Sequence, residues 1–65
     1  MKTKTAVNFV LKHRKDAEGK PYTKYKLAME VGAAPVSIDQ WLKRTKMGHQ
    51  YKAIFLRLYG VVIDD

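Results

Sequence analysis

The chain lacks cysteine altogether and has only two prolines, four glycines and six acidic residues among 65. Each scarcity excludes a class of answer. Without thiols no disulfide can staple a small fold, and two histidines with no thiolate do not make the usual four-ligand zinc site. No apolar run approaches the roughly 18 residues of a membrane span. Met1-Lys2-Thr3-Lys4 is basic, but Asn8, Lys12 and His13 interrupt the apolar stretch behind it, so it does not read as a secretory signal. There is no glycine-rich phosphate loop, and Asp16, Glu18, Glu30 and Asp39 are scattered instead of paired. The expectation is a non-enzymatic protein without cofactor or metal.

What the chain does have is positive charge. Thirteen Lys+Arg against six Asp+Glu give a net charge of +7. Two of the acids are Asp64 and Asp65, so residues 1–57 carry a net +9. Such a field attracts polyanions, either nucleic acid or an anionic membrane. With 46% hydrophobic residues the chain can still build a core, unlike a disordered polycation. That core is small, because folding a chain of this length buries only about 60% of its unfolded surface. One domain over residues 1–65 is expected.

The apolar spacing is helical. Ala6, Val7, Val10 and Leu11 form one stripe on a helix from about Thr5 to Lys15, capped by Thr5 or Thr3. Gly19 and Pro21 break the chain after it. A second helix starts with Thr23 as its cap, buries Leu27, Ala28 and Val31, and stops at Gly32. A third begins at Pro35, where a first-turn proline is tolerated, with Ala34, Ile38, Trp41 and Leu42 inward. A basic loop, Lys43 to Gly48, precedes a fourth helix from about His49 to Tyr59. Its inner stripe is Tyr51, Ile54, Phe55 and Leu58. The β-branched tail Val61-Val62-Ile63 suits a short strand or an extended arm. The fold class is all-α, with four or five helices and a short C-terminal extended segment.

Two short helices joined through Gly32 must cross steeply, which leaves one face of the second open to a groove. The segment from Lys24 to Leu42 resembles the helix-turn-helix of phage Cro and repressor proteins. The resemblance lies in Leu27-Ala28 of the first helix, Val31-Gly32 at the turn and Ser37-Ile38-Asp39-Gln40-Trp41 of the second. The basic loop and the helix ending Leu58-Tyr59-Gly60-Val61 extend it over roughly Thr5 to Val61, with the motif at about residues 24–43. Ala33, Pro35 and Lys43-Arg44 depart from the usual family residues at their positions. The resemblance implies a bacterial cytoplasmic or nucleoid protein that binds double-stranded DNA as a homodimer and represses transcription by occupying an operator.

On that reading, the third helix presents Val36, Gln40 and Lys43 outward, flanked by Ala34, Pro35, Ser37 and Asp39. Gln40 suits adenine N6 and N7, Val36 suits a thymine methyl, and Asp39 either accepts from cytosine N4 or holds a cation. Pro35 and Ser37 complete the base-reading candidates. Lys24, Lys26, Lys43, Arg44, Lys46 and Lys52 are the phosphate-binding candidates. Tyr22 and Tyr25 offer further hydroxyls to phosphate. Trp41, Tyr51 and Phe55 belong to inner stripes, so core packing is preferred over base stacking for them. The rival functions are an architectural or excisionase-like recombination accessory protein, and a small inhibitor or adaptor that binds a protein. A membrane-active peptide needs a broader apolar face than these stripes provide.

Overall fold

Local chemistry punctuates the chain clearly. The computed structural model describes residues 1–43 and 45–65, and in it the helices are α1 (Thr3–His13), α2 (Lys24–Val31), α3 (Pro35–Lys43) and α4 (His49–Tyr59). Thr23 Oγ1 accepts the Lys26 N–H at 3.1 Å, an N-cap at the start of α2. Gly32 ends that helix at φ 78°, and the N–H of Ala33 closes on the Ala28 carbonyl at 2.9 Å. This is the six-to-one bond of a left-handed helix stop, which glycine adopts without a Cβ penalty. Pro35 opens α3 after two non-helical residues. The described residues form an all-α fold, with one isolated bridge between Lys15 and Pro21.

The inner stripes merge into one core. Ala6, Val7 and Val10 of α1 meet Leu27, Ala28 and Val31 of α2, Ile38 and Trp41 of α3, and Phe55 of α4. α3 packs against both α1 and α2, so its inner face is consumed. Trp41 lies edge-on to Phe55 at 6.1 Å and tilted to Tyr51 at 5.1 Å, in the geometry aromatic quadrupoles favour. The expected core role of these three rings is what the packing shows. The radius of gyration, 10.7 Å, is that of a fully collapsed chain of this length, for which about 11 Å is expected.

Four expectations need correction. α1 starts and stops two residues early, and neither Thr3 nor Thr5 caps it. Thr3 is instead the first helical residue, 2% exposed. Its N–H and hydroxyl donate to the two carboxylate oxygens of Asp65, at 2.9 and 2.8 Å, so the cap arrives from the far end of the chain. Ala34 is exposed and Ala33 packs in its place. The residue before a proline is driven off helical dihedrals and so leaves the helical stripe. Leu58 sits at the edge, 37% exposed, while Tyr59 packs against the core.

The tail is an arm on the core, with no strand. Val61 and Ile63 are buried, and Met1 and the tail exchange main-chain bonds: the Met1 amine to Val62 O at 2.8 Å, and the Asp64 N–H to Met1 O at 2.9 Å. Met47, the one apolar side chain of the basic loop, is also buried, and its N–H donates to Thr3 Oγ1 at 3.1 Å.

Two substitutions test this packing by urea denaturation. A chain of this length has about 3–10 kcal/mol of total stability. Phe55→Ala removes about 3–5 kcal/mol and leaves much of the population unfolded at 25 °C. Thr3→Val keeps the volume but strands the Met47 N–H, at a cost of about 1–3 kcal/mol.

Candidate nucleic-acid interface

The outward face of α3 follows from its inward one. With Ile38 and Trp41 buried, helical geometry turns Val36, Gln40 and Lys43 to solvent at i, i+4 and i+7. Val36 is 60% exposed, one of several apolar side chains at the surface together with Met29, Leu56 and Val62. Gln40 is exposed, and among the described residues its amide meets no protein partner. Pro35 is exposed at the start of the helix, and Ser37 and Asp39 are intermediate. The five reading candidates therefore share one element, with Val36 and Gln40 at its crest.

The cationic candidates divide. Lys43 closes α3, Lys46 lies in the loop, and both are exposed with no acidic partner among the described residues. Lys24 bonds Asp39 across the helix pair, with Nζ 2.9 Å from Oδ1 and both side chains about half exposed. Asp39 thus holds a cation, the second of the roles its position allowed. Arg44 lies outside the described residues.

Lys26 and Lys52, two further phosphate-binding candidates, are each bonded to an acidic residue of the chain itself. Lys26 pairs with Asp16, whose other carboxylate oxygen accepts the N–H groups of Glu18 and Lys20 at 2.9 Å each. The Lys26 hydrogen bond, with the main-chain donors, holds the Asp16 carboxyl below its ordinary 3.8, and Asp16 in turn holds the Lys26 ammonium above 10.5. Lys52 donates to the main-chain oxygen of Asp65 at 2.8 Å and is 19% exposed. Tyr22 is likewise occupied. Its hydroxyl donates to Glu30 at 2.7 Å, and Tyr59 donates to the other oxygen of the same carboxylate. Tyr25 remains 63% exposed beside Lys24.

Comparison adds no relative: no protein-family model, curated protein or solved structure matches this chain. The site rests on its own geometry. A surface depression of about 430 Å³ is lined in part by Asp16, Tyr22, Lys26, Met29 and Glu30 and takes no residue from α3. Among its lining groups, Lys26 is bonded to Asp16, and Glu30 to the Tyr22 and Tyr59 hydroxyls. No helix of the described residues is long and apolar enough to cross a membrane.

Sequence reasoning missed the acidic network that organises the surface around α2. A signal for part of it was present: Asp16-Ala17-Glu18-Gly19 is an aspartate three residues before a glycine at positive φ, a turn in which the carboxylate takes nearby N–H groups. The Glu30–Tyr22–Tyr59 cluster is closed by a Tyr59–Glu30 bond that spans 29 positions, and it has no such local signal.

The network sets the response to pH. Burial alone would raise the Glu30 carboxyl, but the Tyr59 and Tyr22 hydroxyls and the Arg14 charge outweigh it and hold it below 4.5. The Thr3 N–H and hydroxyl hold Asp65 below 3.8. Carboxylates depressed in the fold contribute stability above their unfolded pKa and lose it as pH falls through the folded value. The melting temperature should therefore be level from about pH 5 to pH 8 and drop steeply below about pH 4. Glu30→Gln should lower it at neutral pH and make the acid limb shallower. Tyr59 is raised above 10 by burial and by Glu30, and Tyr22 by its bond to Glu30. The stability of those two neutral hydroxyls is present below pH 10 and lost as pH climbs beyond it.

Proposed function

We propose that this chain binds double-stranded DNA through α2 and α3 as a phage Cro/repressor-type helix-turn-helix protein, and represses transcription by occupying an operator. The observation that carries the reading is the outward face of α3. It presents an exposed Val36 and a Gln40 amide with no protein partner among the described residues, with the Lys43 and Lys46 cations at one end and Lys24 on the adjoining helix. A cationic rim binds any phosphate backbone, and an uncharged apolar-and-amide crest suits base edges. α3 lies in the major groove and α2 crosses the backbone. The left-handed stop at Gly32 supports this by letting α3 leave α2 within three residues. The N-terminus of α4, whose cap Gly48 supplies no side-chain bond, offers open N–H groups to a phosphate next to Lys46.

One module of this size makes few base contacts, so a homodimer on half-sites about 34 Å apart supplies the specificity. Val61 and Ile63 are spent in the protomer's own core, so the tail's contribution to a dimer falls to Leu58 and Val62, 37% and 61% exposed. The protein acts in the bacterial cytoplasm or nucleoid and needs no cofactor.

In-vitro selection of duplexes tests the whole reading. The expected result is an enriched sequence with two related half-sites. No enrichment, or binding to anionic vesicles in preference to duplexes, overturns it. Gln40→Ala should cost about 1–3 kcal/mol on the selected site and little on random DNA. Lys46→Ala should weaken all duplexes alike and reduce the salt slope by about one. A protein that stays monomeric on the selected duplex removes the homodimer.

A further inference from the structure

We propose that Lys24 and Asp39 act as one charge-neutral reading unit, in which Lys24 cancels the charge of the carboxylate so that Asp39 accepts a hydrogen bond from cytosine N4. The inference rests on the DNA-binding reading above and adds the identity of one base to it.

Asp39 stands three residues after Val36 and one before Gln40, at the margin of the outward face of α3. One of its oxygens takes the Lys24 ammonium at 2.9 Å. The other has no partner among the described residues, and the side chain is 49% exposed. A carboxylate here would meet a polyanion with like-charge repulsion if it stood alone. Paired, it keeps an unused acceptor and loses the net charge. In the major groove cytosine offers a donor with no acceptor of its own, whereas the adenine amine sits beside N7, which repels a carboxylate oxygen. Adenine suits the amide of Gln40, which donates and accepts. The two neighbours on α3 are therefore matched to different bases.

Helix stability does not account for the pair. Lys24 is the first residue of α2, where the helix dipole opposes a cation. Exposed ion pairs add little to folding. What the pair does achieve is to bring a lysine from one helix to the edge of the reading face of another.

A double-mutant cycle of Lys24→Met and Asp39→Asn, read by duplex selection and titration, tests the unit. Wild type should select a cytosine at one position of each half-site, and Asp39→Asn should lose that preference with a roughly tenfold loss of affinity on the selected duplex. Lys24→Met should weaken every duplex by more than Lys46→Ala does, since it removes a cation and uncovers an anion together. Adding Asp39→Asn to Lys24→Met should then recover affinity, so that one substitution harms the first background and helps the second. Circular dichroism melts of all four proteins should agree within a few degrees, because the pair is exposed. Unchanged base preference in Asp39→Asn overturns the acceptor role. An equal effect of Asp39→Asn in both backgrounds overturns the coupling. Absence of selective duplex binding by wild type overturns the DNA reading itself, and the unit with it.

Discussion

The structure turns on one buried hydroxyl. Thr3 Oγ1 donates to Asp65 and accepts from the Met47 main chain, while the Thr3 N–H takes the other oxygen of Asp65. One residue therefore starts α1, receives the C-terminal arm and anchors the loop between α3 and α4. A chain without cysteine has no disulfide to join its ends, and its apolar core is too small to hold both by burial alone. Lys52 strengthens it by reaching the main-chain oxygen of Asp65. The consequence reaches the proposed interface: Lys46 is the neighbour of the anchored Met47, so its position is set by the same junction.

The distribution of charge follows a related economy. Each of the six acids has a partner close by. Asp16 takes Lys26, Glu18 lies 3.6 Å from Lys20, Glu30 takes two tyrosines, Asp39 takes Lys24, Asp64 lies 3.3 Å from the Met1 amine, and Asp65 takes Thr3 and Lys52. The exposed pairs among them, Glu18 with Lys20, Asp39 with Lys24 and Asp64 with the Met1 amine, contribute little individually. Their collective effect is to spend the negative charge locally, leaving the excess of cations to dominate the outer field. Lys43 and Lys46 belong to that excess. Arg14 is drawn instead over the Tyr59 ring at 5.2 Å, a cation–π contact that ties the end of α1 to the end of α4.

Much of the fold could be read from short-range pattern. Thr23, Gly32 and Pro35 mark the limits of α2 and α3 because capping, left-handed dihedrals and a missing N–H are properties of single residues. The stripes Leu27-Ala28-Val31 and Ile38-Trp41 follow from the period of the helix. The same period turns Val36, Gln40 and Lys43 outward, so the crest of the candidate site was legible too. The rim was less so. Lys26 and Lys52 look like Lys43 and Lys46 in sequence, and only the approach of Asp16 and Asp65 separates them. Ala34 escapes the helical stripe because it precedes Pro35, and a residue before proline avoids helical dihedrals.

The sequence by itself determined the four helices, the turn between α2 and α3, and which side of α3 faces out, since these depend on backbone preferences and periodicity within a few residues. The tertiary structure alone decided where the chain ends go, which lysines are occupied, and that α1 begins at Thr3. Those outcomes depend on contacts between residues as many as 62 positions apart. A hydrogen bond or ion pair over that distance leaves no spacing rule in the chain, because its partners are chosen by packing and not by their separation in sequence.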